Sequence, residues 1–399
     1  VEEGHEYFAP EQELEIWLGI GRLLESKMIV KVGQNVIFDS SFIYKKYGII
    51  TTNMECTMVA HAIAFPDFPK GLDFMTAMYT KEPYYKDEGK RRIKTGGGTD
   101  ESFWIYNAKD SVVLTEIFPK VIRDLGKLNN IEAYRRQIKL LEILLFMGAR
   151  GIRMDVAGMK EMSIVIKQQI KDLLKEIQEE SEGKIENPSS IDEVKQYFYI
   201  HKGLQPYKNK GAITVDAKAL TRISIRGFPI ASKIKDYRKL IKKKGSYLDM
   251  ILDDDGRVRS SFNPVGTVNG RLSSSLTIFK TGADLQNQPH WMKKFMLADE
   301  GYVIYSMDLS QAENRIVAYI APEQTMMEAF ENGEDIHSKT AGLIFNKRPE
   351  DISDVDGSSP LGNGEQSERF WGKTCNHALN YAMGAGQFSL EYAISMKQA

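Results

Sequence analysis

The spacing of apolar residues predicts a long amphipathic helix over residues 156–180. Seven apolar side chains recur there, mostly at intervals of three or four, and so share one side: Met159, Met162, Ile166, Ile170, Leu173, Leu174 and Ile177. The same period predicts a helix over residues 135–147 that is ended by Gly148 and Gly151. Residues 189–199 predict a further helix, with Ser190 and Asp192 as capping candidates.

A different pattern precedes Asp308. Residues 302–307 have the β-branched and aromatic content of a buried strand, and an amphipathic helix is predicted to follow from Gln311 onward, through Glu313 and Arg315. A carboxylate at the end of a strand, beside the start of a helix, is well placed to hold a divalent cation against a phosphate. The alternative is an aspartate that only caps the next helix.

Four polar residues near the end of the chain are spaced at intervals of four: Arg369, Lys373, His377 and Tyr381. On a helix this spacing places them along one face. Two cations suit a triphosphate and two rings suit a sugar or a base, while Ser367 is a candidate N-cap whose helix dipole would add to phosphate attraction. The alternative is a solvated basic face with Tyr381 in the core.

The N-terminal third, residues 1–132, predicts a mixture of short strands and helices. Asn35 and Asp39 end an apolar stretch, and Tyr106 and Asp110 are one helical turn apart. Without further context, Asn35 fits an Asx-type turn, Asp39 fits a helix cap, and the Tyr106–Asp110 pair fits a surface contact.

Composition describes an ordinary globular protein. The chain has 399 residues, 42% of them apolar and 27% charged, which suggests two or three domains. Only two cysteines occur, which argues against a disulfide framework. We find no signal peptide and no apolar run long enough to span a membrane, so we expect a cytoplasmic protein.

Charge is unevenly distributed although the net charge is only −1. Residues 201–250 contain 13 Lys and Arg against 3 Asp and Glu, including Lys242, Lys243 and Lys244, with Tyr237 and Tyr247 interleaved. Such a stretch predicts salt-sensitive, sequence-independent contact with nucleic-acid phosphates. The alternative is a solvated helix face.

Five ordered strings resemble the DNA polymerases of family A, the bacterial polymerase I and phage replicase group. They are "GTVNGRLSSS" (266–275), "DLQNQP" (284–289), "DLSQAENR" (308–315), "ENGEDIHSKTA" (331–341) and "RFWGKTCNHALNYAMG" (369–384). The resemblance implies that Asp308 is one of two carboxylates that bind catalytic Mg²⁺, and that Glu313 is a gate against a ribose 2′-hydroxyl. Gln311 and Arg315 would lie beside them.

The same resemblance implies nucleotide contacts. His337 and Arg369 would contact the distal phosphates, and Lys373 would stabilise the transferring phosphoryl group and serve as a candidate general acid. Tyr381 would lie where template base and incoming base meet. Three further residues would contact the primer–template near the new pair: Arg271, Gln286 and Asn287. In phosphoryl transfer such groups act by alignment and charge neutralisation.

Two departures accompany the resemblance. His377 stands where the family usually carries Phe or Tyr, which leaves open how tightly the site packs the deoxyribose and whether it admits dideoxynucleotides. The family's downstream His-Asp-Glu motif, with the second metal-binding aspartate, is not found before Ala399. We therefore expect this chain to be a piece of a longer protein that carries only one of the two metal-binding carboxylates of the polymerase site. We do not expect this piece alone to synthesise DNA. Its start at Val1 supports the same expectation.

The N-terminal strings "NVIFD" (35–39) and "YNAKD" (106–110) resemble the second and third motifs of the family's 3′–5′ proofreading exonuclease. The resemblance implies that Asp39 and Asp110 hold divalent metal, that Tyr106 orients the attacking water, and that Asn35 belongs to the same motif. The first motif, an Asp-x-Glu strand, is not found before Gly33. Either it lies before Val1 or the domain has lost activity.

The expected fold is α/β and α+β, with an RNase H-like exonuclease domain (1–132) before a partial right hand. Its parts are a thumb with the start of the palm (133–265), a partial palm (266–345) and partial fingers (346–399). The expected function is template-directed DNA synthesis with Mg²⁺, in replication by a phage or bacterium. Expected partners are primer–template DNA, deoxynucleoside triphosphates (dNTPs) and a processivity factor, with no membrane. The alternatives are a DNA-binding fragment with an inactive exonuclease scaffold, and a repair polymerase.

Overall fold

The computed structural model describes residues 7–87, 99–362 and 364–399. The chain forms two compact units. The first unit comprises Val1–Glu161 and Ser246–Val303, and the second comprises Met162–Gly245 and Ile304–Ala399. Each unit thus joins two separated stretches of sequence.

Helices dominate the described residues. They span Pro10–Glu25 (α1), Val36–Tyr47 (α2), Thr57–Ala64 (α3), Leu72–Tyr79 (α4), Asp100–Lys127 (α5), Ile131–Arg150 (α6), Val156–Glu180 (α7), Ile191–Lys195 (α8), Ala217–Ile225 (α9), Ile230–Lys242 (α10), Ala312–Ile320 (α11), Gln324–Glu331 (α12), Ile336–Phe345 (α13), Glu368–Asn380 (α14) and Ala385–Tyr392 (α15). Two π-helical segments, Gln196–His201 and Lys243–Leu248, continue α8 and α10.

The strands are short. They span Lys31–Gly33 (β1), Met54–Cys56 (β2), Ile152–Met154 (β3), Lys208–Asn209 (β4), Ala212–Ile213 (β5), Arg257–Val258 (β6), Ser261–Asn263 (β7), Ser273–Ser275 (β8) and Met296–Leu297 (β9). Strands β1 and β2 pair in parallel, with Lys31 opposite Met54. The remaining pairs are antiparallel: β6–β3–β9 form one sheet, and β4–β5 and β7–β8 form two others.

The core of the first unit lies around helices α3, α5 and α6. Its fully buried residues include Val59, Ile117, Val121, Leu125, Tyr134 and Leu141. The buried Glu55 carboxylate on β2 accepts hydrogen bonds from the Tyr134 hydroxyl and, at 2.8 Å, from Arg135. Because both donors lie on α6, this contact fastens the parallel strand pair to the helical core.

Helix α7 has the bounds that the apolar spacing predicts, whereas α6 differs from its prediction. Helix α6 runs through Gly148 and ends at Gly151, whose φ of 62° terminates it. The prediction that Gly148 ends the helix was therefore wrong. A single glycine inside a helix costs only about 1 kcal/mol. Here the missing side chain leaves room for the Ser260 carbonyl, which lies 3.1 Å from where a Cβ would stand.

The predicted strand over residues 302–307 is also wrong. The segment is irregular and exposed, with Tyr305 80% and Met307 93% accessible. A strand requires a neighbour that satisfies its N–H and C=O groups, and no strand of residues 7–87, 99–362 or 364–399 pairs with this segment. Asp308 therefore follows an extended segment instead of closing a buried strand.

The second unit has a helical core around α9 and α10, with Phe198, Leu220, Ile223 and Ile234 fully buried. Its later stretch contains the antiparallel neighbours α13 and α14 and the smaller pair α11 and α12. Within the described part of the chain, we find no helix long and apolar enough to cross a membrane.

Candidate active site

Helices α13 and α14 lie unusually close together in the second unit because Gly372 has no side chain. A Cβ at this position would stand 2.7 Å from the Ala341 nitrogen and closer still to the His337 carbonyl oxygen. This close approach buries His337 against α14. His337, which was predicted to contact phosphate, thereby lies beside α14, the helix that carries the predicted stripe of Arg369, Lys373, His377 and Tyr381.

The stripe of Arg369, Lys373, His377 and Tyr381 follows one accessible face of α14, as its spacing predicts. Ser367 caps the helix, as predicted, by accepting a hydrogen bond from the Phe370 N–H at 3.0 Å. The His377 and Tyr381 rings are in contact, with centroids 5.0 Å apart and planes at 63°. Tyr381 is 66% exposed, so the alternative that placed its ring in the core was wrong.

Asp335 connects the parts of this site. It precedes α13, and its carboxylate accepts hydrogen bonds from the His337 N–H (3.0 Å), the Ser338 hydroxyl (3.1 Å), the Gln311 amide (3.1 Å) and Arg369 Nε (2.5 Å). Partial burial opposes the charged form, but the hydrogen bonds with Arg369, His337 and Ser338 hold the pKa of Asp335 below its ordinary value. The sequence analysis did not single out Asp335. Its signal was the N-cap position before the apolar start of α13.

Asp308 lies close to this network through Gln311. Gln311 follows Asp308 by three positions, a stretch of chain that spans at most about 11 Å. The Asn380 amide donates to Asn314 Oδ1 at 2.6 Å, which holds α11 against α14. The Asp308 side chain is exposed, and its carboxylate has no hydrogen-bond or ion-pair partner among the described residues. Asp308 is thus linked to the cationic face of α14 through Gln311 and Asp335.

The other polar residues after Asp308 have separate environments. Gln311 has a left-handed backbone, with φ of 53°, and its side-chain oxygen is buried without a partner in the described chain. Arg315 donates from Nε to the Ser310 carbonyl at 3.0 Å, and its guanidinium lies 4.6 Å from the Phe330 ring centroid. Arg315 therefore holds the turn before α11 and packs on α12. Glu313 is exposed in the first turn of α11.

The surroundings of His337 disfavour its cationic form. Burial is the main cause, and the nearby charges of Arg369, Lys373 and His377 act in the same direction, so the pKa of His337 lies below its ordinary 6.5. The carboxylate of Asp335 opposes this shift. His337 Nδ1 lies 3.2 Å from the side-chain nitrogen of Asn376.

In the first unit, Tyr106 and Asp110 lie one turn apart on α5, as predicted. The Asp110 carboxylate accepts hydrogen bonds from Lys86 Nζ and from the Tyr85 hydroxyl, the latter at 2.8 Å. Lys86 also contacts the Tyr106 hydroxyl at 3.4 Å. Burial and the adjacent Asp110 carboxylate raise the pKa of Tyr85. The alternative of a simple solvent-exposed Tyr–Asp pair therefore does not describe this cluster.

Asn35 and Asp39 lie at the start of α2. Asn35 precedes the helix in a left-handed conformation, with φ of 54°, and makes no side-chain cap hydrogen bond. Asp39 lies inside the first turn, so the alternative that it caps the helix was wrong. Partial desolvation by the surrounding protein raises the pKa of Asp39.

The residues expected near the primer–template form a small ordered turn in the same unit. Asp284 accepts hydrogen bonds from the Gln286 N–H at 3.1 Å and from the Asn287 amide at 2.7 Å. The Ser274 hydroxyl also receives a bond from the Gln286 N–H, at 3.1 Å. Gln286 and Asn287 are exposed beside β8, and Arg271 is exposed two residues before that strand. The structure thus brings these three residues to one end of β8.

The basic stretch in the second unit forms a cationic groove. A cavity of about 470 Å³ is lined by Lys242 together with Lys218, Lys235, Arg238 and Lys239, and Glu391 is the one acidic residue that lines it. Arg238 is fixed by bonds from its guanidinium to the carbonyls of Pro188 (2.8 Å) and Val215 (2.7 Å). Lys243 and Lys244 continue into the π-helical segment. The sequence analysis missed Lys235 and Arg238, although their spacing to Lys242 already predicted a shared face.

Comparison with known proteins decides the family. The sequence model of DNA polymerase family A matches residues 156–399, which is more than half of the chain. This chain belongs to DNA polymerase family A. A second model, the 3′–5′ exonuclease, matches residues 2–125.

Curated relatives agree with this family. The thermostable DNA polymerase I of Thermus aquaticus is 29% identical over 348 residues, covering 83% of this chain and 39% of the relative. DNA polymerase I of a Synechocystis strain is 28% identical over 399 residues, covering 94% of this chain and 38% of the relative. The chain thus spans less than two fifths of the length of these two relatives.

A solved structure shows the fold of the family. It is the POL domain of Pol1 from M. smegmatis, in complex with a DNA primer-template and dNTP. This structure superposes with a TM-score of 0.74 at 19% identity, covering 98% of this chain and 64% of that one. The expected fold class, an exonuclease domain followed by part of the polymerase hand, is confirmed.

Family A polymerase and exonuclease domains generally use divalent metal, and the residues around Asp308 fit such an ion. The Asp308 carboxylate is accessible and lacks a partner among described residues, and the buried oxygen of Gln311 lacks one as well. Magnesium prefers oxygen ligands, keeps several waters, and is commonly bound by one or two carboxylates together with substrate phosphates. Asp308 would be the protein ligand of such a site.

The exonuclease-like cluster does not fit a metal in the same way. One oxygen of the Asp110 carboxylate, Oδ1, accepts bonds from both the Lys86 ammonium and the Tyr85 hydroxyl, so a cation at this carboxylate would lie beside an ammonium of the same sign. Across the described ranges, no group of three or more His, Cys, Asp or Glu side chains is arranged to hold a metal. The implied role of Asp39 and Asp110 as metal ligands thus lacks support from this geometry.

Proposed function

We propose that this chain carries the nucleotide-binding side of a template-directed DNA polymerase site, which transfers a deoxynucleotide to a primer 3′-hydroxyl. The observation that supports the proposal most strongly is the Asp335 network. It joins Gln311, close to Asp308, to Arg369 on the cationic face of α14. A carboxylate without a partner among the described residues, linked through Gln311 and Asp335 to Arg369, with the exposed Lys373 one turn further along α14, suits a metal-bound triphosphate.

The residues of α13 and α14 would act on the triphosphate. Arg369, oriented by Asp335, presents its remaining guanidinium nitrogens to the distal phosphates, and the exposed Lys373 supplies a point charge one turn later. Because phosphoryl transfer places charge on nonbridging oxygens, cations held in advance lower the barrier. Lys373 is also the candidate general acid for the departing pyrophosphate.

The remaining contacts would select the nucleotide. The His377 and Tyr381 rings, in mutual contact, offer surfaces for the sugar and for the new base pair. Glu313, on the accessible side of α11, would crowd a ribose 2′-hydroxyl, and Arg315 would keep that helix in place. Asp308 would hold a Mg²⁺ ion that, when bound with a second ion, would supply charge to activate the primer hydroxyl and to neutralise the leaving group.

We further propose the division into an exonuclease-like domain (1–132), thumb with start of palm (133–265), partial palm (266–345) and partial fingers (346–399). Primer–template DNA would contact Arg271, Gln286 and Asn287, and the groove that includes Lys242, with Lys243 and Lys244 next to it. Replication in the cytoplasm, with a processivity factor, is the role we propose. Short products on a long primed template would favour gap-filling repair instead.

A second candidate function concerns the N-terminal domain. The contact of Lys86 with Asp110 favours a structural module over an active 3′–5′ exonuclease, because a tethered ammonium occupies the carboxylate that a metal would need. In that case the domain would stabilise the polymerase without removing mismatched nucleotides.

Primer extension by Asp308→Ala in the full-length gene product tests the proposal. Loss of a metal ligand removes several kcal/mol of transition-state stabilisation, so extension should fall roughly a thousandfold. Primer–template binding should be retained, since Asp308 contacts metal and not DNA. The matched control is Asp356→Ala, an exposed aspartate in the loop before α14, which should extend normally. Extension by Asp308→Ala at the control's rate would refute the assignment.

A further inference from the structure

The side chain of Asn376 lies between α14 and α13 and contacts three groups there. Its nitrogen Nδ2 is 3.3 Å from the Ile336 carbonyl oxygen and 3.2 Å from His337 Nδ1. Its oxygen Oδ1 lies 2.9 Å from the Thr340 hydroxyl. The close approach of the helices at Gly372 makes these contacts possible.

The Ile336 carbonyl fixes the orientation of the Asn376 amide. A carbonyl oxygen can only accept hydrogen bonds, so the group that faces it must be the amide nitrogen. The reversed amide would set two acceptor oxygens against each other, both facing away from water. The amide nitrogen therefore also faces His337, and its second hydrogen is donated to Nδ1 of that ring.

A ring nitrogen that accepts a hydrogen bond carries no proton, so the proton of neutral His337 must lie on Nε2. We propose that Asn376 is a positioning residue that fixes His337 as the neutral tautomer with its proton on Nε2. On the proposed function, that Nε2–H donates to a nonbridging oxygen of the nucleotide triphosphate. The inference about the tautomer stands on geometry alone, and only the phosphate contact rests on the proposed function.

The surroundings of His337 act in the same direction. A doubly protonated ring would turn its Nδ1–H toward the amide hydrogens of Asn376, which places donor against donor. Burial and the charges of Arg369, Lys373 and His377 on α14 disfavour the cation, while Asp335 on the start of α13 favours it. The pKa of His337 is lowered on balance. Neutral His337 thus donates a directed hydrogen bond without adding a third positive charge beside Arg369 and Lys373.

Nitrogen-15 NMR of the chain, labelled at histidine, tests the tautomer directly. Long-range proton–nitrogen correlations distinguish Nδ1–H from Nε2–H, and His337→Gln assigns the signals. We expect His337 to be neutral with its proton on Nε2 at pH 6.5. In Asn376→Asp the carboxylate can only accept, so the proton should move to Nδ1 and the pKa of the ring should rise. The matched control, Asn380→Asp, lies one turn away against Asn314 and should leave His337 unchanged.

Two results would overturn the inference: a proton on Nδ1 in the unaltered protein, or an unchanged tautomer in Asn376→Asp. The spectrum of the unaltered protein decides alone if Asn376→Asp fails to fold. Binding of Mg²⁺–dATP then separates this inference from the proposed function. Asn376→Asp should weaken binding about tenfold at pH 8, the effect of one lost hydrogen bond to a charged group.

Lowering the pH should restore dATP affinity to Asn376→Asp, because protonation returns a hydrogen to Nε2, whereas a merely structural defect would not recover. The expected tautomer without any dATP binding by the unaltered protein would contradict the proposed function and leave the tautomer assignment standing. Normal dATP binding with the proton on Nδ1 would contradict the inference and leave the proposed function standing.

Discussion

At the scale of single residues, the Asp335 carboxylate organises the candidate site. Donors from the turn before α11, from α13 and from α14 converge on its two oxygens. This arrangement fixes Nε of the Arg369 guanidinium, while Nη1 lies 3.7 Å from the Asp354 carboxylate and Nη2 has no hydrogen-bond or ion-pair partner among the described residues. The same carboxylate thereby sets the position of Gln311, three residues from Asp308. One partly buried acid thus positions Arg369 and Gln311 around the place proposed for the triphosphate.

The contact of Lys86 with Asp110 is testable at the same scale. Both side chains are partly buried, so we expect a coupling free energy of about 1 kcal/mol in the double-mutant cycle of Lys86→Ala and Asp110→Ala. Urea unfolding of the four proteins measures it. The control cycle is Lys120→Ala with Glu116→Ala, a more exposed pair on α5, which should couple by less than about 0.5 kcal/mol. Equal coupling in both cycles would contradict a specific Lys86–Asp110 contact.

Some of these residues follow from sequence and others do not. The interval of four predicts the stripe on α14, because a helix repeats its faces at that spacing. Lys86 gives no such signal: it lies 24 residues from Asp110, and only the packing of the chain brings the two together. Asn376 lies in a string that resembles the family. Its contact with His337 depends on the separation of two helices, which spacing within either helix does not determine.

At the scale of elements, the close pairing of α13 and α14 depends on Gly372, and Gly372→Ala tests it. The added Cβ would overlap the backbone of α13 at Ala341 and His337, so the helices must move apart. We expect a loss of about 2–3 kcal/mol in the free energy of unfolding, together with weakened dATP binding. Chemical denaturation and nucleotide titration measure the two effects.

The matched control for Gly372→Ala is Gly386→Ala. Gly386 lies in helix α15, and a Cβ there would meet no atom within 4 Å. Because alanine restricts the unfolded chain more than glycine does, this change should stabilise the protein by about 0.4–1 kcal/mol. The same sign of effect for both substitutions would contradict the proposed close packing of α13 and α14.

Elements with a strong internal period were predicted well. Helix α7 has the predicted bounds, since its apolar face repeats over about five turns, from Met159 to Ile177. Residues 302–307 show the opposite case. Their β-branched and aromatic content describes a strand, but a strand forms only where another strand lies alongside it. Local composition therefore predicted that the segment prefers strand conformation. It did not form a strand because no neighbouring strand lies alongside it among the described residues.

At the scale of the whole molecule, the uneven distribution of charge predicts how the protein binds DNA. Replacing Lys242, Lys243 and Lys244 with Gln should reduce affinity on any DNA sequence. Each phosphate contact releases about one counterion when the protein binds DNA. Because the variant makes fewer such contacts, the slope of the logarithm of the binding constant against the logarithm of the salt concentration should flatten by about 2–3. Fluorescence anisotropy across a salt series measures this slope.

The control for the salt experiment is the triple replacement of Lys167, Lys171 and Lys175 on α7. These exposed lysines change the net charge by the same amount but do not line the cationic groove. Their replacement should change the slope by less than about 0.9, the value for one phosphate contact. If both triple variants flatten the slope equally, net charge and not the groove governs binding.

The family could be recognised from sequence because five short strings occur in a fixed order, and the sequence models and the superposition confirm it. The overall charge gave no indication of a DNA-binding protein, since a net charge of −1 conceals a local excess of +10 in residues 201–250. The division of the chain into two units, each built from separated stretches, was not predicted. Such pairing depends on long-range packing between segments that share no periodicity.

Titration of the chain with Mg²⁺–dATP tests the central claim, that the accessible face of α14 grips a nucleotide triphosphate. Lys373→Gln removes one exposed charge from that face, and we expect the dissociation constant to rise about tenfold. The comparison variant is Lys339→Gln on α13, whose ammonium is already paired with Glu334 at 3.0 Å, and it should bind as the unaltered protein does. Equal affinities of the Lys373 and Lys339 variants would contradict the account.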